Sequence, residues 1–417
     1  MIPHLRKSFN SSFTEQGYQL LLSKLQEHTH AEIHFRVAET PVFLTHALLD
    51  AISEAGARLT RSLLSNPEYL LAAGRAIPKG WHAAGDSAFP NFLTADFALV
   101  READGSLAPR LVEIQAFPSL YGFQSLMAEC FREAYSLPSE LQTTLGGISM
   151  DAYWELLRRT IVGGHDPEQV VLCEIDPGHQ KTLPDFNVTS ARLGIPVVDV
   201  RNLEAEGRKL IYRNHAGKRV EIRRIYNRAI ADELIVRKIQ LPFSWEADWD
   251  VEWAGHPNWY FLVSKFSLPW LTGDPVVPPC VFLDEFLHGA GRTRLLDAGV
   301  PLPTPAHDAV YEELLLKPLF SFAGKGIQFS PTQAELEAIP VERRHEYLLQ
   351  QRMDFVRAIE TPEGATQAEI RILYLWPDGG ELKAVLPLIR LGRGKMMGVD
   401  HNRDLSWVGA SAALIAS

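Results

Sequence analysis

The stretch Leu314-Leu-Leu-Lys317-Pro318-Leu-Phe-Ser321-Phe-Ala-Gly324-Lys325-Gly326-Ile327 decides how the chain is read. Its apolar run predicts a buried strand. The strand ends at Lys-Pro and opens into a turn of small residues. A lysine at a strand end can set its ammonium against phosphate oxygens, and Gly324 and Gly326 let backbone approach a ligand with no Cβ in the way. Two readings fit: a phosphate-covering loop, and an ordinary hairpin with glycines at its tip. The stretch is not a P-loop, because Gly326 stands where Ser or Thr would follow the lysine, and it is not a G-x-G-x-x-G dinucleotide loop.

A second stretch carries chemistry. Asp96-Phe-Ala-Leu-Val-Arg-Glu-Ala-Asp104-Gly105 turns into Ser-Leu-Ala-Pro-Arg-Leu-Val-Glu113-Ile-Gln115-Ala-Phe-Pro118-Ser119. Two short apolar strands flank Asp-Gly, which predicts a β-hairpin. Glu113 and Gln115 are two apart and share a face, and Asp96 enters from the first strand. Three oxygen-bearing side chains on one face suit a hard divalent cation. A solvent-facing polar edge of a half-buried sheet is the other reading.

Together these stretches resemble the ATP-grasp superfamily, in which a strand ending in Lys-Pro precedes a Gly/Ser loop over the triphosphate. The hairpin resembles the family's magnesium motif, an acid followed by Glu-x-Asn-x-x-Pro-Gly, with Gln115 in place of Asn and Ser119 where Gly is common. In the usual order that motif follows the Lys-Pro hairpin, and here it comes first. The resemblance is therefore to circularly permuted members of the carboxylate–amine ligase type, related to glutathionylspermidine-synthase-like proteins. It implies an α+β (α/β) chain with an ATP-grasp fold and a Rossmann-like pre-ATP-grasp domain.

The implied organisation is a helical N-terminal segment plus metal hairpin over 1–145, a Rossmann-like domain with a Trp-rich connection over 146–275, a small nucleotide subdomain over 276–350, and the rest of the large subdomain over 351–417. Lys265 stands where the family has its first nucleotide lysine, with Lys317 second. Ser321, Gly324, Lys325 and Gly326 form the loop. Tyr347-Leu-Leu-Gln350-Gln351-Arg352-Met353 resembles the hinge strand whose backbone pairs with adenine, with Gln350 or Gln351 for the common Glu, and Met353 beside it. The resemblance gives Arg371 and Arg390 the catalytic place at strand positions, Asp96, Glu113 and Gln115 the metal, and ATP and Mg2+ as cofactors. It implies transfer of a phosphoryl group to a substrate carboxylate, giving an acyl phosphate that an amine or thiol attacks, with ADP released. Substrates would be small molecules or peptides. A nucleotide-binding sensor or subunit, and a small-molecule kinase, would present the same nucleotide site.

The rest of the chain agrees with such an enzyme. At 417 residues it exceeds one compact core. The net charge of -10 and the lack of a dense basic stripe exclude a nucleic-acid footprint. The three cysteines, Cys130, Cys173 and Cys280, are too scattered for a zinc site or disulfide framework. No long apolar run predicts a membrane span or signal peptide, so a cytoplasmic protein is expected. No Ser/His/Asp or Cys/His constellation offers a covalent nucleophile.

In chain order, Tyr18, Leu21, Leu22 and Leu25, then Leu48, Ile52 and Leu59, recur at helical spacing, predicting helices from Phe13 to about Ala73. His28, His30 and His34 lie close together, and their alternation with other polar residues reads as an exposed helix end rather than a metal set. Another helix is expected over Met127 to Tyr135. Strand, helix and strand over Val170–Ile175, Phe186–Leu193 and Gly194–Val200 predict a parallel α/β unit, with strands also at Lys209–Tyr212 and Val220–Tyr226. Arg223-Arg224-Ile-Tyr-Asn227-Arg228 resembles an Arg-rich strand end of permuted members, and reads equally as a solvated basic edge. Trp245, Trp249, Trp253, Trp259 and Trp270 predict a packed, irregular connection. The tail Gly392-Arg393-Gly394-Lys395-Met-Met-Gly398 and Asp400-His-Asn402 reads as a solvated loop.

Overall fold

The computed structural model describes residues 1–321, 324–397, 402 and 404–416. Phe322 and Ala323 of the glycine loop, and Gly398, Asp400 and His401 of the tail, lie outside the described residues. The described strands form four sheets.

The largest sheet draws on both ends of the chain. From edge to edge its strands are Val42–Thr45, Gly409–Ala416, Lys383–Gly392, Gln367–Leu375, Phe92–Arg101 and Leu107–Gln115. The first pair is parallel and the others antiparallel. The Asp-Gly signal is the turn joining the last two: Gly105 takes φ 86°, a conformation open to glycine, and Glu102 N donates to Ser106 O at 2.9 Å. Successive residues alternate between the two faces. One face is apolar: Leu93, Ala95, Phe97, Ile370, Ile372 and Ile389 pack on the helix His46–Leu64 through Leu49, Ile52, Leu59 and Leu63. Each such buried aliphatic or aromatic side chain contributes about 1.5–3 kcal/mol. The opposite face is divided. Phe92, Leu373, Leu386 and Leu388 pack against Tyr121, Tyr153 and Leu157, whereas Asp96, Glu113, Glu369, Arg371 and Arg390 make the neighbouring stretch charged.

The second sheet is parallel, in the order Glu252–Ala254, Arg224–Asn227, Val170–Glu174 and Val197–Asp199. The helix Leu183–Leu193 makes the crossover and ends at Gly194, φ 72°. The strand expected over Val220–Tyr226 is in fact two. Arg219–Glu221 belongs to an antiparallel three-stranded meander with Glu204–Glu206 and Lys209–Arg213, and Arg224–Asn227 to the parallel sheet. The chain changes partner between them, Ile222 N donating to Leu210 O and Arg223 N to Gln169 O.

The second four-stranded sheet is antiparallel: Cys280–Phe282, Tyr347–Gln351, Leu314–Pro318 and Gln328–Phe329. Val281, Leu283, Leu295, Leu314 and Leu349 fill the core beneath it. Trp245 packs on Trp81 and Trp253, and Trp259 enters the main core. The reading of the first residues as helical is corrected at one point. Val42–Thr45 is a strand, too short for alternation to show, and its partner Gly409–Ala416 lies at the other end of the chain. Among the described residues no helix is long and apolar enough to cross a membrane.

Candidate functional site

Lys317 sits one residue before the end of its strand, buried at 3 % exposure, with Nζ donating to Gln350 Oε1 at 2.5 Å. Burial lowers its pKa from 10.5 to about 8; Glu113 opposes the fall and Lys265 adds to it. Lys265 opens the short 3-10 turn Lys265–Ser267, capped by Ser264. Its ammonium donates to the Ser321 backbone oxygen, reaches Ser321 Oγ at 3.4 Å, and lies 3.5 Å from Glu113 Oε2. The two lysines therefore meet the hairpin carboxylate from one side.

The charged stretch of the six-stranded sheet meets it from the other. Register makes Glu113, Asp96 and Arg371 consecutive partners across three strands, and Arg390 the partner of Glu369 one step along. Arg371 forks onto Asp96, Nε to Oδ1 at 2.5 Å and Nη2 to Oδ2 at 2.6 Å, and its Nη2 lies 3.9 Å from Glu113 Oε1. Arg390 Nη2 bridges Asp96 and Glu369. Burial pushes Asp96 upward, but the two guanidinium groups more than offset it and its pKa falls below the usual carboxylate range. Glu369 is pushed up to about 7, by burial and by Asp96, against Arg390. Burial works against the charge on Arg371, yet Asp96 holds its pKa above the ordinary value.

Gln115 lines a small pocket with Lys265, Ser321, Ser264 and Tyr260, so it shares with Glu113 the neighbourhood of Lys265. The glycine loop is the turn of a hairpin, with Leu315 opposite Phe329 and Leu316 opposite Gln328. Gly324 and Gly326 have φ 71° and 79°, and a Cβ on Gly326 would stand 3.0 Å from Pro318 Cγ. Lys325 is exposed.

At the expected hinge, Gln350 pairs with Cys280 and Leu315 across its strand, and its Oε1 accepts from Lys317, while its buried Nε2 has no hydrogen-bond partner among the described residues. Gln351 N donates to Pro279 O and Arg352 N to Glu313 O. Met353 lies beyond the strand, half-buried. At Asp96, of the expected metal set, both oxygens are engaged by arginines, which a cation would have to displace. Glu113 and Gln115 fit a hard cation by chemistry: the ionic partners of Glu113 are long contacts, and Gln115, two residues on, lines the pocket beside Lys265.

The run Arg223 to Arg228 separates into three roles that its composition did not distinguish. Arg223 is at the surface with Glu221. Arg224 is buried and fully used, pairing with Glu252 at 2.6 Å and Asp378 at 2.7 Å and donating to the carbonyls of Thr160 and Ile161. Arg228 is 3 % exposed, stacked over Phe117 and Phe186 at 5.1 and 5.3 Å, and among the described residues neither Nε nor Nη1 has a hydrogen-bond partner. It follows a strand of the parallel sheet, next to Glu174 at the end of the adjoining strand. Burial pushes Glu174 up to about 8, against the field of Arg228. Phe117 packs edge-on against Tyr260, whose hydroxyl donates to Asp232 at 2.7 Å, and so connects this arginine to the lysine pocket.

No family model and no curated protein sequence matches the chain. Among solved structures, a glutathione synthetase-like effector from Globodera pallida, in its apo form, superposes with a TM-score of 0.53 at 13% identity, covering 96% of this chain and 98% of that one. A protein provisionally named a gamma-glutamylcysteine synthetase, from Methylobacillus flagellatus, covers 89% of each chain at 13% identity and a TM-score of 0.37, too low to carry an argument. The mixed α/β fold of this chain is therefore that of the glutathione synthetase-like protein along nearly its whole length.

Proposed function

We propose that the chain is an ATP- and magnesium-dependent ligase that joins a carboxylate to an amine, through an acyl phosphate and with release of ADP. The observation that carries this is the gathering of Lys265, Lys317 and Arg371 around Glu113, with Gln115 beside Lys265 and Arg390 joined to Arg371 through Asp96, between the glycine-tipped hairpin and the charged face of the six-stranded sheet. Four cations facing two deep acids and one partly open carboxylate suit a polyphosphate. The same juxtaposition of residues 96–115 with 371–390 supports a permuted ATP-grasp order, with the parallel sheet as its Rossmann-like domain.

In this reading Lys317, held by Gln350, and Lys265, held by Ser321, grip phosphate oxygens with charge-assisted hydrogen bonds. Glu113 and Gln115 would hold magnesium, which when bound neutralises charge on the phosphates. Arg371 and Arg390 present their outer edges to the transferred group and stabilise charge developing on it. Two nitrogens of Arg228, Nε and Nη1, have no hydrogen-bond partner among the described residues, a costly arrangement for a buried guanidinium. A substrate carboxylate would satisfy it, and the adjoining carboxyl end of a parallel sheet is where ligands of such sheets bind. The fold likeness makes peptide-like carboxylates the first to try.

The test is a matrix of amino acids and short peptides against amines, with ATP and magnesium, scored for ADP release. ADP formed only when both a carboxylate and an amine are present, with a hydroxamate trapped by hydroxylamine, supports the ligase. AMP release removes the acyl phosphate. ADP formed without an amine, with a stable phosphorylated product, makes the chain a kinase.

A further inference from the structure

We propose that Asp96 is not a metal ligand but a positioning residue, which holds Arg371 and Arg390 in place for anionic oxygens and leaves the cation to Glu113 and Gln115. This rests on the nucleotide reading above. Three features of the face support it.

The first is occupancy. A carboxylate offers about four lone-pair sites, and three of those on Asp96 already accept Nε and Nη2 of Arg371 and Nη2 of Arg390. The second is depth. The Asp96 side chain is 1 % exposed beneath arginines that are 11 % and 22 % exposed, so a cation could reach it only past two like charges. Glu113 is 18 % exposed, and its ionic partners Lys265 and Arg371 stand at 3.5 and 3.9 Å, which leaves its oxygens open to a closer ligand. The third is geometry. The bidentate fork removes rotational freedom from Arg371 before any anion arrives, and the bridge to Glu369 does the same for Arg390. Register places the fork, since Arg371 and Asp96 are direct partners across adjoining strands.

The experiment is calorimetric titration of the full chain with a non-hydrolysable ATP analogue, with and without magnesium, for wild type, Asp96→Asn and Glu113→Gln. In Asp96→Asn, affinity should fall about tenfold or more in both conditions, the scale of a lost hydrogen bond between charged groups, and the ratio of the two affinities should stay within about twofold of wild type. In Glu113→Gln that ratio should collapse toward one. Arg371→Lys should reproduce the loss, and adding Asp96→Asn to it should cost little more. A collapsed ratio in Asp96→Asn, or unchanged affinity in both conditions, overturns the proposal. If Asp96→Asn does not fold, the double variant Asp96→Asn/Arg390→Gln, which removes one buried charge of each sign, is read by the same ratio. A wild type that binds the analogue under neither condition removes the nucleotide reading itself, and this inference with it.

Discussion

Lys317→Met should shift the pH dependence of stability as well as weaken nucleotide binding. Lys317 is buried and titrates at about 8 in the folded chain, against 10.5 for a free lysine. An unfolded chain keeps that proton up to pH 10.5, so between about pH 8 and 10.5 it binds more protons than the native state and native stability rises with pH. Below pH 8 the wild type carries the full cost of the buried charge, about 3 kcal/mol at 2.303RT for each step in pKa. Methionine fills a similar volume without charge, and strands Gln350 Oε1, a loss of about 1–3 kcal/mol. The two effects nearly offset near neutrality. The pH dependence does not cancel: the wild type should gain about 3 kcal/mol on the variant between about pH 8 and 10.5. Urea unfolding of both proteins across that range reads this difference, and a shared contribution such as that of Glu174 drops out. Calorimetry at about pH 7 should show ATP-analogue affinity weaker by about 1.5–3 kcal/mol in the variant. Parallel stability curves would show that Lys317 is not a buried ammonium, and unchanged affinity would show that it does not touch the nucleotide.

Glu113→Gln should abolish turnover and most of the magnesium dependence while moving the melting temperature little, because the carboxylate makes only long ionic contacts; a fully active variant would return the hairpin to ordinary surface. Arg228→Met should raise the KM for the carboxylate substrate at least about tenfold, since Nε and Nη1 of the arginine have no hydrogen-bond partner among the described residues, and should also cost some ligand-free stability, because Phe117, Phe186, Glu174 and Asp185 lose the cation beside them. A destabilised Arg228→Met with unchanged KM would make the arginine structural. Gly409→Ala should destabilise by several kcal/mol: its φ of 122° excludes a side chain, and a Cβ would stand 2.3 Å from Arg36 O. Unfolding monitored by fluorescence decides whether the joint between residues 36–42 and the last strand is that rigid.

The local readings that came true on the sequence alone were those whose physics is local. Asp104-Gly105 makes its hairpin because glycine takes the left-handed turn conformation. Leu48, Ile52 and Leu59 recur at helical spacing on one helix, and the glycines of the Lys317 hairpin have the positive φ their loop requires. The two-residue spacing of Glu113 and Gln115 placed both near one lysine, as strand alternation demands. Partnership was a different matter. No spacing in the chain says that Val42–Thr45 pairs with Gly409–Ala416, or that Arg371 lies beside Asp96, because those pairs join residues hundreds of positions apart and are chosen by sheet register. Asp96 and Glu113 look alike as acids in a hairpin. One became the seat of two arginines and the other an open carboxylate, since only the strand that arrived beside Asp96 brought a guanidinium to it. The same holds for Arg223, Arg224 and Arg228: identical side chains in one short run, they were sorted into surface pair, buried brace and unpartnered cation by what the tertiary fold set against each.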